Sequence, residues 1–182
     1  MKALSHDKLT GGGRKAYLIL EDGTVFAGTG IGAEKTVISE IVFNTSMAGY
    51  LEVLTDPSYA GQAVAMTYPL IGNYGICFED MESAKPWPDG FIVRELSRLP
   101  SNFRSEDTIQ HFLTEHGIPG ICGIDTRALT RILREKVTMN GMITGDEAMA
   151  AKPEEVLAKI RAYRPQGVVK RVTRKEKTVL FV

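Results

Sequence analysis

Residues 40–75, EIVFNTSMAGYLEVLTDPSYAGQAVAMTYPLIGNYG, place turn chemistry, small residues and four tyrosines between two strand-like runs. The run over 37–43 carries β-branched and aromatic residues that suit a pleated, half-buried surface. Asn44, Thr45 and Ser46 interrupt it with side chains that bond nearby backbone, so a loop follows the strand and these three residues are expected to satisfy a buried loop, or else to meet a partner. Asp56-Pro57-Ser58-Tyr59 makes a second break: Pro57 fixes its own φ, pushes Asp56 out of the helical region and leaves Ser58 in the bend. A hydroxyl there can face a cleft, or can bond its own turn. Tyr50, Tyr59, Tyr68 and Tyr74 are residues of the type that anchor protein interfaces and, equally, of the type that fill cores with one satisfied hydroxyl.

On the N-terminal side, residues 1–14 are polar and end in Gly11-Gly12-Gly13, a composition that is costly to order and reads as a flexible leader. Strand-like runs at 15–20 and 24–27 flank Asp22-Gly23, the residue pair of a two-residue hairpin turn, so a β-hairpin opens the fold. On the C-terminal side, 79–90 reads as an exposed connection interrupted by Pro86 and Pro88, after which Phe91-Ile92-Val93 resumes a buried strand that ends at Pro100. Asp107 or Ser105 caps a helix that buries Ile109, Phe112 and Leu113 and stops at Gly117. A short strand at 121–124 precedes a helix capped by Asp125, with Leu129, Ile132 and Leu133 on one face and Arg127, Arg131 and Arg134 on the other. Residues 139–144 read as a strand, and Pro153 opens a helix that turns Val156, Leu157 and Ile160 inward. A basic strip at 170–177 and the apolar run 179–182 close the chain as linker and strand. Strands first, then strands alternating with helices, predict a mixed α/β domain.

The 182 residues fit one domain plus tails, and a chain of that size can bury about 70% of its unfolded surface. Lys plus Arg number 22 and so do Asp plus Glu, so no global field recruits nucleic acid or an anionic membrane. With no apolar run long enough to span a bilayer and no signal-peptide core, the expected location is the cytoplasm. Cys77 and Cys122 have no partners at metal-ligand spacing and read as reduced, buried thiols. Gly120-Ile121-Cys122-Gly123 has the strand-to-helix placement of a nucleophile elbow, but Ile124 occupies the position where the elbow needs a small residue, so Cys122 reads as a strand-packing side chain. Of the possible bases, His6 lies in the leader, and His111 and His116 are five apart and diverge on a helix, which also argues against a metal site. Gly28-Thr29-Gly30-Ile31-Gly32 leads into a strand where a dinucleotide fingerprint needs a helix, and Glu34 beside Lys35-Thr36 repels phosphate.

Four ordered motifs, FNTSMAGYLEVLTDPSYAGQ (43–62), TYPLIGNYG (67–75), LPSNFRS (99–105) and GIDTRALTRILREK (123–136), resemble the N-terminal part of the small, glutamine-handling subunit of the carbamoyl-phosphate synthase family. The resemblance implies a layered β/β/α, swivelling-type domain with mixed sheets over 15–165. The leader 1–14 precedes it, and 166–182 forms a basic linker or strand toward a glutamine amidotransferase domain whose own motifs this chain lacks. It also implies that Ser58 contacts glutamine across the cleft between the two domains, where a neutral hydroxyl positions the substrate without catalysing. The implied partners are the large synthetase subunit, the amidotransferase domain and glutamine. No cofactor is implied in this domain; ATP, magnesium and bicarbonate belong to the complete complex, a ligase that feeds pyrimidine and arginine synthesis. The alternative is a standalone, non-catalytic interaction module derived from that domain.

Overall fold

A computed structural model describes residues 13–173. The apolar run 179–182, the second half of the basic strip, His6 and nearly all of the leader lie outside the described residues. Among the described residues nine strands form: β1 (Lys15–Leu20), β2 (Val25–Gly32), β3 (Val37–Asn44), β4 (Gln62–Met66), β5 (Leu70–Ile71), β6 (Gly90–Ile92), β7 (Glu95–Leu96), β8 (Pro119–Cys122) and β9 (Asn140–Thr144). Six helices accompany them: α1 (Tyr50–Thr55), α2 (Ile109–Glu115), α3 (Thr126–Lys136), α4 (Glu147–Ala151), α5 (Glu154–Ala162) and α6 (Val168–Val172).

The expected α/β class and opening hairpin hold, with the sheet closed on itself. Seven strands run in the order β1-β2-β8-β6-β4-β3-β9, and β9 pairs back to β1. The neighbours β3, β4, β6 and β8 are parallel and the rest antiparallel, so the ladder is mixed. β5 and β7 form a separate parallel pair outside the barrel.

Strand alternation sorts the core. Leu18 and Leu20 of β1, Ala63 and Ala65 of β4, Ile92, Ile121 and Ile143 share one cluster, as the inward positions of a closed barrel must. Gly90 and Gly141 keep this interior narrow: a methyl group at Gly90 would come within 2.7 Å of Ile143 Cδ1, and one at Gly141 within 2.8 Å of Ile41 Cγ1. Leu129 and Leu133 of α3 pack into the same cluster, so α3 covers the barrel beside the carboxyl ends of β3 and β4. The outward positions fall into two further clusters. Val64, Met66 and Phe91 lie under α1 and α2, while Ile19 and Met142 lie under Val156 and Ile160 of α5.

Several local expectations change. The hairpin loop has three residues, not two: Gly23 N–H donates to Leu20 O at 2.9 Å, Leu20 N–H to Thr24 O at 2.8 Å, and Gly23 adopts φ +91°, the pattern of a turn closed by a glycine bulge. The cap of α2 is Thr108, which accepts from His111 N–H, while Asp107 accepts from Thr108 N–H and the His111 ring. Asp125 caps α3 as expected. Thr45 and Ser46 are exposed, so the Asn44 loop is a surface loop; Asn44 alone is half-buried and accepts from Ser46 N–H at 2.7 Å. The connection over 79–90 is exposed only in its first part: Pro88 is buried, and Trp87 is tied through its backbone N–H to Leu54 O and through Nε1 to Ser83 Oγ. Helices α1, α4 and α6 were not expected. Among the described residues no helix is long and apolar enough to cross a membrane.

Candidate functional site

The local sequence around Ser58 folds through its aspartate. Asp56 Oδ1 accepts from Ser58 N–H at 2.8 Å, Pro57 starts a single turn of 3-10 helix, and Ala60 N–H closes it on Pro57 O. An Asp acceptor two residues back is the side-chain mimic of a turn, and Pro57 pre-sets the bend. Because the aspartate holds the turn, the Ser58 hydroxyl is exposed and makes no hydrogen bond among the described residues. The reading in which Ser58 bonds its own turn is therefore not what the geometry contains.

At the other end of α1 an aromatic pair holds the helix start. Tyr50 and Tyr74 stack with ring centroids 4.1 Å apart. The Tyr74 hydroxyl accepts from the N–H groups of Gly49 at 2.7 Å and Tyr50 at 3.2 Å, occupying donors that the start of α1 leaves open. Tyr50 in turn donates to Gly75 O at 2.7 Å. Burial raises the pKa of both phenols, and for Tyr50 the neighbouring Tyr74 adds to the rise. The tyrosines thus separate by role: Tyr50 is core, Tyr74 and Tyr59 are half-buried against it, the Tyr59 hydroxyl accepting from Asn44 Nδ2 at 3.0 Å, and Tyr68 faces solvent.

The last described helix comes back to this turn. A methyl group on Gly61 would sit 3.1 Å from Val168 Cγ2 and 3.5 Å from Pro165 Cβ. Arg171 pairs with Asp89 Oδ1 at 3.2 Å, and Asp89 N–H donates to Gln62 O at 2.8 Å at the start of β4. The pair is partly solvated and contributes little stability, but it fixes where α6 lies. Asp56 was noticed in the sequence only as the residue before Pro57 and Tyr74 only as one of four interface or core tyrosines, and Asp89 was not singled out. The Asp-Pro-Ser spacing of a side-chain-closed turn was a readable signal for the role of the first, and no local signal marks the roles of the other two.

The remaining candidates do not converge on Ser58. Cys122 sits in the β8 ladder opposite Thr29, partly buried, and burial pushes its thiol pKa up, the reverse of what a nucleophile needs. Cys77 is buried at 4% exposure. Gly28 to Gly32 lie within β2, paired to β1 and β8, so they form no phosphate loop. His111 is exposed between Asp107 and Glu115, and the hydrogen bond and charge of Asp107 raise its pKa. His116 ends α2 with Nδ1 2.8 Å from Phe112 O. Among the described residues no group of three His, Cys, Asp or Glu is arranged to hold a metal ion. Arg127 and Arg131 point into solvent from α3, and the Arg134 guanidinium lies 5.6 Å over the Phe43 ring. A groove of about 620 Å³ lined by Glu40, Asn140, Arg161 and Tyr163 does not include Ser58.

Residues 18–143 match the family described as carbamoyl-phosphate synthase small chain, CPSase domain. The chain belongs to the carbamoyl-phosphate synthase small chain family. It is 52% identical over 162 residues to the carbamoyl phosphate synthase small chain of Bacillus caldolyticus, covering 88% of this chain and 44% of that one. It is 52% identical over 163 residues to that of Clostridium perfringens, covering 90% and 46%, and 54% identical over 145 residues to that of Fusobacterium nucleatum, covering 77% and 40%. The chain therefore spans less than half the length of these curated relatives. Each motif of the family resemblance has a place in this fold: the first supplies the Ser58 turn, the second the Tyr74 cap, the third a surface loop beyond β7, and the fourth α3.

Proposed function

We propose that this chain is the N-terminal domain of the small subunit of glutamine-dependent carbamoyl-phosphate synthase, and that it forms one wall of the glutamine cleft. In the complete subunit an amidotransferase domain releases ammonia from glutamine. The large synthetase subunit combines that ammonia with bicarbonate and ATP, in the cytoplasm, for pyrimidine and arginine synthesis. The domain docks on the large subunit and positions substrate without turning it over, a role consistent with one partly buried thiol of raised pKa and one fully buried thiol. In this reading the closed barrel is the family's layered swivelling domain, its layers being opposite walls of the barrel.

The observation that carries the proposal is the free hydroxyl of Ser58 on a turn packed beside α6. Val168 of α6 stands beside Gly61, three residues after Ser58, so the last described helix packs close to the turn. A serine hydroxyl can donate to the carboxylate of glutamine or accept from its ammonium group, and it adds no charge that would retain the glutamate product. In the complete synthase, Ser58→Ala should lower kcat/KM for glutamine by roughly ten- to a hundredfold, the worth of a hydrogen bond to a charged group, and leave ammonia-dependent synthesis unchanged. Equal glutamine kinetics in the two proteins would remove Ser58 from the site.

A further inference from the structure

The groove of about 620 Å³ that excludes Ser58 holds charges of both signs that do not pair with one another. Lys136, Arg161 and Arg164 line it, and so do Glu21, Asp22 and Glu40. Among the described residues none of these three cations forms an ion pair. The charged groups are nevertheless anchored. Arg161 Nε donates to Glu21 O at 2.9 Å, and Arg164 Nη1 donates to Arg161 O at 2.8 Å and Tyr163 O at 2.6 Å. The other guanidinium N–H groups of both arginines have no acceptor among the described residues. Lys136 ends α3, and its backbone is fixed by a γ-turn in which Thr138 N–H donates to Lys136 O at 2.8 Å and Val137 takes φ +68°. Each carboxylate is held by one oxygen: Glu21 Oε2 accepts from Asn140 N–H at 3.2 Å, Asp22 Oδ1 from Thr24 N–H at 2.8 Å and Glu40 Oε2 from Gln62 Nε2 at 2.8 Å. Their second oxygens are free among the described residues. Asn140 Nδ2 donates to Ile160 O and Tyr163 O, which ties the end of α5 to β9 beneath the groove. The half-buried Tyr163 hydroxyl makes no hydrogen bond among the described residues, and burial, with the nearby Asp89 charge, raises its pKa, so it stays a neutral donor.

We propose that this groove binds a small zwitterion of the free α-amino-acid class, its carboxylate met by the spare donors of Arg161, Arg164 and Lys136 and its ammonium by the spare oxygens of Glu21, Asp22 and Glu40. Opposite charges kept apart in one groove are each left to water, and a ligand that carries both signs satisfies both at once. A phosphate ester or other polyanion would meet three carboxylates, and a lone organic cation would meet three positive groups. A bare metal ion does not fit, because among the described residues no group of three His, Cys, Asp or Glu is arranged to hold one. Anchoring the charged groups before the ligand arrives lowers the cost of ordering them on binding. The groove's volume falls in the range of small-molecule sites. The inference rests on this groove alone and is independent of the role given to Ser58.

The test screens the common L-amino acids, each at about 10 mM, against the complete subunit by thermal unfolding, where a ligand of the native state raises the midpoint. At least one should raise it, and calorimetry should then give its affinity. Arg161→Ala and Arg164→Ala should each weaken that binding about tenfold, the size expected of a hydrogen bond to a charged group. Both arginines are exposed, so the unfolding temperature without ligand should stay near wild type. Lys136→Ala, on a different helix, should weaken binding independently, and Ser58→Ala should bind as wild type does. Acetate and methylammonium, with one charge each, should give no shift. The proposal is overturned if no amino acid moves the midpoint, or if the shift survives the double variant of Arg161 and Arg164. Inorganic phosphate or acetate binding as tightly would make the groove a simple anion site and overturn it too. Binding by this 182-residue chain but not by the complete subunit would mean that the subunit's own chain fills the groove, and would likewise overturn it.

Discussion

Two turns in this domain use the same device to opposite ends. At Asp56 the carboxylate accepts one backbone N–H, that of Ser58, at 2.8 Å; at Asp125 it accepts two, those of Arg127 at 3.0 Å and Ala128 at 2.9 Å. Each aspartate has a side chain of nucleophile type close by in sequence, Ser58 after the first and Cys122 before the second. The hydroxyl emerges from its turn into solvent, whereas the thiol precedes its turn and stays in the barrel ladder. In both places the aspartate does the holding. What the neighbouring side chain can do then depends on which side of the aspartate it falls, not on the glycines around it.

Removing each aspartate should show how unequal the two turns are. The larger effect belongs to Asp125→Ala, which strips the cap from α3 and loosens Leu129 and Leu133 over the barrel interior. Urea unfolding should report a loss of about 1–2 kcal/mol, with Asp125→Asn close to wild type because the amide oxygen still accepts. A loss no larger than that of an exposed surface substitution would mean that packing alone positions α3. Asp56→Ala should be milder in stability, about 0.5–1 kcal/mol, since one exposed N–H is released and the 3-10 turn is a single turn long. Its signature should appear in function: in the complete synthase, glutamine use should fall together with the Ser58→Ala variant, and the double variant should fall little further. Additive losses would separate Asp56 from the placement of Ser58.

Much of this contrast was legible beforehand. The hairpin, β3, β9, the apolar faces of α2, α3 and α5, and Asp125 as a cap all follow from alternation, periodicity and capping chemistry, which are local. Barrel closure is not local: it rests on β9 pairing with β1 across most of the chain, and on Gly90 and Gly141 leaving room for Ile143 and Ile41. Helix α1 escaped for a different reason. Tyr50-Leu51-Glu52-Val53-Leu54-Thr55 is short, mixes β-formers with helix formers and is buried at every position except Glu52, so it shows no amphipathic stripe. Its N-terminus is capped by Tyr74, far along the chain, which no local motif announces. Ser58 was put forward through the Asp-Pro-Ser turn and the family resemblance, while the closeness of α6 to the residue that ends that turn, Gly61, became visible only in the folded chain. The tethering of the 97–105 loop likewise depends on backbone acceptors at Ile71, Asn73 and Ile76 that composition does not reveal.

The smallest effect, and the one that tests the contrast at its chemical root, concerns Cys122. Its pKa is raised from an ordinary 9.0, first by burial, so folding favours the neutral thiol. The sign follows from linkage: a group whose folded pKa lies above its unfolded one contributes its stabilisation in full below the unfolded value and loses it as pH climbs through the folded value. The domain should therefore show no Cys122-dependent change in stability through neutral pH, and a loss that begins only in alkaline solution and is absent in Cys122→Ala. Alkylation gives the sharper readout because iodoacetamide reacts with the thiolate. At pH 8, peptide mapping should find Cys122 labelled more slowly in the native protein than in urea, and labelled faster as pH rises past the ordinary value. Cys77, at 4% exposure, should also label slowly, for want of access. If native Cys122 instead labels faster at neutral pH than the unfolded chain does, the fold is stabilising its thiolate. The division between a freed hydroxyl at one turn and a silenced thiol at the other would then fail, and Cys122 would have to be placed among the reactive groups of the domain.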